Sequence, residues 1–267
     1  MKQAFLYFLG ITALLYACNA GTSDSATTVK DTTGIVPDST DVFDTAYAIA
    51  PGDTAMLGFY QGLLPCKNCQ GIRYTLLLED SGRFKLEEFT LGKDIFPGKH
   101  EGRWVREGDS LRLIANRKVL AGFLIVKDTL RLAYREGDPI TDSIRKEYWI
   151  VKAPGASSNP GWKAKRDAGI DFIAIGTEPF WSLELDSGRS ISFRPAELPK
   201  PLSFQSVQPR ITKDSTVYSV SANDATLQVV IYNEFCSDGM SDNIYEHRVH
   251  VSYNGQTFKG CGVYLKK

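Results

Sequence analysis

The sequence predicts an all-β protein built from two successive small β domains. Short runs alternate apolar and polar residues and end in tight-turn residues, while long helical periodicity is scarce. A Pro/Gly/Ser stretch at 153–161 divides the chain. Cys66 and Cys69 fall before that divide, Cys236 and Cys261 after it.

The first domain is expected over 54–152. Tyr74, Leu76 and Leu78 alternate with Thr75, Leu77 and Glu79, and the turn Asp80-Ser81-Gly82 leads into Arg83-Phe84-Lys85-Leu86-Glu87. Residues 102–106 and 110–113, around Glu107-Gly108-Asp109, repeat the hairpin. Strands at 119–126, 129–134 and 147–151 follow. Seven or eight such strands predict a meander closing into a barrel, which hides its edges. Residues 153–167 read as a linker, and 168–267 as a second, disulfide-pinned β domain, a small barrel or a sandwich. Its strands are expected at 172–175, 181–185, 190–193, 217–221, 227–232, 247–253 and 258–264. Pro195, Pro199 and Pro201 interrupt them with one non-strand connection.

The amino terminus carries a targeting pattern. Lys2 precedes an apolar run of twelve residues, 4–15, too short for the ~20 that span a bilayer. Leu15-Tyr16-Ala17-Cys18 then resembles the lipobox of bacterial lipoproteins, which implies a signal peptide over 1–17, cleavage before Cys18 and lipidation on it. Residues 18–53, rich in Thr, Ser, Asp and Ala, then form a disordered tether. Asn19, in place of aspartate, favours the outer membrane, with the periplasmic face expected and surface exposure the alternative. Loss of Lys2 leaves 30 basic against 31 acidic residues, and no basic block stands out, so nucleic acid is excluded as a partner.

Outside the cytoplasm disulfides persist, and four cysteines remain after the lipid cysteine. The local pairings Cys66–Cys69 and Cys236–Cys261 are preferred over pairings that would cross the linker. The Cys66–Cys69 pair has three readings. It is a staple for an exposed loop, a redox or Cu(I)-sensing pair of soft thiolates, or a thioredoxin-like catalyst. The last lacks the surrounding βαβ pattern. No cofactor is required; Cu(I) is the candidate for the two thiolates, although the rest of a copper site is thin, with Met56 and Met240, three histidines and no Met-rich or His-rich tract.

Two family resemblances extend these readings. Gly58-Phe59-Tyr60-Gln61-Gly62-Leu63-Leu64-Pro65-Cys66-Lys67-Asn68-Cys69-Gln70-Gly71-Ile72 resembles the start of the NlpE N-terminal domain, and the likeness continues to about residue 152. It implies a lipocalin-like barrel with the CxxC near one mouth, an outer-membrane lipoprotein, and a role in copper resistance or envelope-stress sensing with a signalling protein as partner. The second half, with Gly176-Thr177-Glu178-Pro179-Phe180-Trp181, then Cys236-Ser237-Asp238-Gly239-Met240-Ser241-Asp242, then Gly260-Cys261, resembles an uncharacterised envelope family. It brings a compartment and a β fold without an activity.

In that half, Cys236 and Cys261 are read as pinning a loop whose Asp238 and Asp242 bond their own backbone. The functional alternative is a pocket lined by Glu178, Trp181, Asp238 and Asp242. His247 and His250 lie on opposite faces of one strand, and His100 in a turn; all three are read as surface or capping residues. No nucleophile stands beside a base, and no phosphate or dinucleotide loop occurs, so an enzyme is not expected. The function expected is sensing or binding in copper or envelope-stress homeostasis. The alternative is a passive ligand-binding or structural lipoprotein.

Overall fold

In the computed structural model, residues 51–66, 68–92, 98–137, 147–222 and 225–265 are described. The leader, Cys18, the tether up to residue 50 and Lys67 lie outside them. The described residues fall within one compact unit.

The first half is a closed antiparallel barrel of β1 (Gly58–Leu64), β2 (Ile72–Leu78), β3 (Arg83–Thr90), β4 (Gly98–Glu107), β5 (Ser110–Ala115), β6 (Lys118–Val126), β7 (Thr129–Arg135) and β8 (Trp149–Ala153). Closure is the pairing of β8 with β1, Val151 opposite Gln61. Strand alternation sends Tyr60, Tyr74, Leu76, Phe84, Trp104, Leu113, Phe123 and Ile150 inward, where they fill the lumen. Eight strands enclose a space that side chains just occupy. Gly102 permits a tight fit, because a Cβ there would stand 2.1 Å from the Ile114 carbonyl oxygen.

The second half is one nine-stranded antiparallel sheet. It is formed by β9 (Phe172–Thr177), β10 (Phe180–Asp186), β11 (Ser190–Pro195), β12 (Leu202–Gln205), β13 (Arg210–Ile211), β14 (Ser215–Ala222), β15 (Ala225–Tyr232), β18 (His247–Tyr253) and β19 (Gln256–Tyr264). The order is β12-β11-β10-β9-β19-β18-β15-β14-β13. The sheet curls until β12 meets β14, and among the described residues no hydrogen-bonded seam closes it. Phe172, Trp181, Leu183, Phe193, Val229, Val249 and Phe258 pack inside the curl. All seven strands expected from the alternation are present; β12 and β13 add to them, β12 just past Pro199 and Pro201.

Two short strands, β16 (Cys236–Ser237) and β17 (Ile244–Tyr245), make a separate ribbon on the sheet's other face. There Tyr245, Cys236, Cys261, Val263 and Ile173 form a second cluster. The stretch that composition reads as linker is folded. Gly155 bridges Ile244, the Ile244 N–H donates to the Pro154 carbonyl oxygen at 2.9 Å, and α1 (Lys163–Asp167) follows.

Candidate functional site

Cys66 and Cys69 are disulfide-bonded in the loop joining β1 to β2, with Cα atoms 5.6 Å apart. The loop leaves the barrel where Leu64 pairs with Ile72. Its base is held by the Leu91 N–H donating to the Gly71 carbonyl oxygen at 2.9 Å. Gly71 has φ +143°, where a side chain would strain and its Cβ would press on Leu63. Both cysteines are half-buried and Asn68 is exposed. Nearby on the outer wall, Leu63, Arg73 and Phe89 stand in register across three strands, with the Arg73 guanidinium 6.0 Å from the Phe89 ring centre.

Cys236 and Cys261 are bonded across 25 residues, with Cα atoms 5.5 Å apart. This bond fixes the ribbon to β19. Within the ribbon, the Asp238 carboxylate accepts from the Met240 and Ser241 amides at 3.0 and 2.9 Å. The Ser241 and Tyr245 hydroxyls also donate to it. Burial alone would raise the Asp238 pKa, but these donors outweigh it and hold the carboxyl below its usual range. Burial, and then the charge of Asp238 and the bond to it, push the Tyr245 phenol up to about 12.

The pocket suggested by sequence is not assembled. Trp181 packs inside the curl, whereas Asp238 and Asp242 belong to the ribbon on the opposite face. Glu178 is exposed in the turn before β10, at a cis bond to Pro179. Trp181 is a structural strut. Its indole N–H donates to the Lys259 carbonyl oxygen at 3.1 Å, and its ring crosses the backbone at Gly176 and Gly260. A Cβ at Gly176 would stand 1.9 Å from the indole nitrogen. The glycines of the first and last motifs in this half are therefore the seat of its tryptophan.

The surface reading of the histidines also needs correction. His247 is buried, its Nδ1 3.1 Å from the Tyr232 carbonyl oxygen and its ring edge-on to Tyr264 and Phe172. Burial lowers its pKa to about 4, so it is neutral at pH 7. His100 lies in β4 rather than a turn, 3.9 Å from Glu88. Among the described residues, no three His, Cys, Asp or Glu side chains converge as metal ligands.

Sequence reasoning missed a cleft of about 670 Å³ between the barrel wall and the ribbon. Its floor is the row Val151, Gln61, Thr75 and Glu87 across β8, β1, β2 and β3. Beside that row, Phe235 and Ile244 cover Phe59 and Leu77, with the Phe59 and Phe235 rings edge-to-face at 5.2 Å. The signal was in Leu76-Leu77-Leu78. An outward-facing apolar Leu77 marks a barrel wall that is covered on both sides.

Residues 60–143 match the NlpE N-terminal domain family. Lipoprotein NlpE of Escherichia coli (strain K12) is 34% identical over 83 residues, 30% of this chain and 35% of the relative. The chain thus spans about a third of that relative's length. A lipoprotein structure from Shewanella oneidensis is 31% identical and covers 36% of this chain and 87% of its own, with a TM-score of 0.30. The structure of the Cpx pathway activator NlpE from Escherichia coli is 16% identical and covers 76% and 95%, with a TM-score of 0.29.

Proposed function

From the premise that this is an NlpE-like protein over its barrel, we propose that the chain is an envelope lipoprotein that senses envelope stress. Lipid on Cys18 tethers it to the outer membrane, and the Cys66–Cys69 loop is its responsive element. The carrying observation is the match of residues 60–143, which bears the CxxC on a half-exposed loop at one end of a filled barrel. An envelope-stress signalling protein is the partner proposed, and no catalytic step is.

When the pair is reduced, its two sulfurs are soft donors of the kind Cu(I) takes, so copper is the metal proposed for it. A site there would be a two-sulfur site, given that no third ligand of these types converges among the described residues. The passive-carrier reading is less favoured, because aromatic and aliphatic side chains of the barrel itself occupy the lumen.

Fractionation and a stress reporter test this reading. Cys18→Ser should leave the membrane fraction after high-salt washing, and overproduction of the wild-type protein should raise an envelope-stress reporter. Reporter output unchanged by overproduction, and unchanged by Cys66→Ser/Cys69→Ser, would overturn the sensing role. Cu(I) binding by the reduced protein no tighter than by that double variant would remove copper from it.

A further inference from the structure

The cleft between the barrel wall and the ribbon is lined by charges of both signs, and most of them are already engaged. Glu87 accepts the Phe235 N–H at 2.9 Å. Glu234 takes Lys99 at 2.8 Å and Arg248 at 2.7 Å. Lys152 donates to the Ala55 carbonyl oxygen at 2.6 Å. Arg73 and Asp242 are different. Arg73 is exposed on β2, its guanidinium resting near the Phe89 ring, and Asp242 is exposed on the ribbon. Among the described residues neither side chain has an ion pair or a hydrogen bond, and the two are not paired with each other. Asp242, which the sequence grouped with Trp181, belongs to this cleft instead.

The walls that carry these two charges are fixed. The Cys236–Cys261 bond, the Ile244 N–H on the Pro154 carbonyl oxygen and the Phe235 ring against Phe59 all hold the ribbon in place. A preformed cleft loses little freedom when it is filled. Its volume of about 670 Å³ is within the range of roughly 300–1,000 Å³ that small-ligand pockets occupy. The rest of the lining suits amide groups. Gln61 Nε2 donates to Thr75 Oγ1 at 3.1 Å, which leaves the Gln61 amide oxygen to accept and the Thr75 hydroxyl to donate. Asn243 donates through Nδ2 to Ser241 and keeps its amide oxygen. Val151 and Phe89, 52% and 39% exposed, add apolar contact.

We propose that this cleft binds short peptides by their two ends, Arg73 taking the terminal carboxylate and Asp242 the terminal ammonium. A guanidinium matches a carboxylate with two parallel N–H donors, and an ammonium donates to a carboxylate such as Asp242. A purely anionic ligand would face Asp242 with a like charge, and a purely cationic one would face Arg73. A ligand with both charges satisfies both. The free amide oxygens of Gln61 and Asn243 and the Thr75 hydroxyl favour a peptide over other zwitterions, because backbone N–H and C=O groups are their complement. Neither Cys66 nor Cys69 lines the cleft, so the site stands apart from the sensing proposed above.

Titration of the isotope-labelled mature chain, read by amide chemical shifts, tests the site. A pool of tripeptides with free termini should shift the amides of Thr75, Ser237 and Asn243. The same pool N-acetylated, or C-amidated, should bind about ten-fold more weakly, the scale of one charge-assisted hydrogen bond. Arg73→Gln should weaken the free pool by a similar factor and leave the amidated pool as it was. Asp242→Asn should do the same for the free pool and spare the acetylated one. Both side chains are exposed, so both variants should keep the wild-type pattern of shifts elsewhere. Phosphoethanolamine, equally zwitterionic but without an amide, should bind more weakly than the free pool. No shifts with the free pool would overturn the proposal, and so would equal binding of the three pools. It would fail equally if either variant left the free pool unaffected or weakened all three pools alike, or if phosphoethanolamine bound as tightly as the peptides.

Discussion

The two disulfides hold very different amounts of structure. Cys66–Cys69 closes a sequence separation of 3 on a loop outside the barrel, whose strands are already paired beneath it. Cys236–Cys261 closes a separation of 25 and ties the ribbon to the sheet, next to the residues that dock on the barrel. In the chain-entropy model the longer loop stabilises by about 3.5 kcal/mol and the shorter by about 2. Much of the shorter loop's share is local, because little folded structure depends on it. A bond with little structural duty can be opened and closed without unfolding its domain. On the proposed reading, the barrel's cysteine pair is the one available for chemistry and the sheet's is committed to architecture.

The contrast breaks most visibly at the sheet. Trp181→Ala should cost about 3–5 kcal/mol in denaturant unfolding, the range for deleting a large buried aromatic. The barrel transition should stay in place if the two halves unfold separately. Cys236→Ser/Cys261→Ser should follow at about 3 kcal/mol, with protection lost at Ile244 and Phe235 as the ribbon detaches. A double variant with wild-type stability and an ordered ribbon would erase the proposed difference between the disulfides.

Much of this architecture is legible in the sequence, because alternation reports burial one face at a time. Strands β2 to β7 and β9 to β11 lie where apolar residues recur at every second position and turns of Gly, Asp and Ser intervene. Alternation is silent about what lies outside a strand. An outward-facing Leu77 says that the wall is covered, but only the fold shows that Phe235 and Ile244 are the cover, on Leu77 and Phe59 alike. The same blindness grouped Trp181 with Asp238. The motifs are adjacent in the folded chain, but β19 lies between them with its two faces looking opposite ways. Pro, Gly and Ser in 153–161 read as a linker because composition cannot register a backbone bridge such as Gly155 with Ile244. His247 escaped because a neutral histidine bonded to a carbonyl has no sequence signature.

A smaller effect separates the regions by pH. Asp238 lies below its ordinary value in the folded ribbon, so its contribution is present above the unfolded value of 3.8 and is lost as pH falls through the folded one. Wild-type protein should therefore lose protection at the Met240 and Ser241 amides in the acid range below about pH 4, while the CxxC loop is unaffected. Asp238→Asn should have weaker protection there at neutral pH and no acid step. An acid step that persists in this variant would assign it to another carboxyl.

The smallest stability change is expected at Cys66 and Cys69, and there it carries the most functional meaning. Both sulfurs belong to a half-exposed loop, whereas Cys261 is buried beneath the ribbon. A reductant thiolate must reach a disulfide sulfur to attack it, so access favours the first pair. Graded reduction with alkylation of freed thiols should label Cys66 and Cys69 before Cys236 and Cys261. Thermal unfolding of the half-reduced protein should move by only a few degrees, the scale of about 1 kcal/mol in a domain of this size. The barrel is held by its closed ladder and filled lumen, and neither passes through the loop. Reversed labelling order, or a half-reduced barrel that unfolds, would make Cys66–Cys69 a staple as well and leave the proposed sensing without its responsive element.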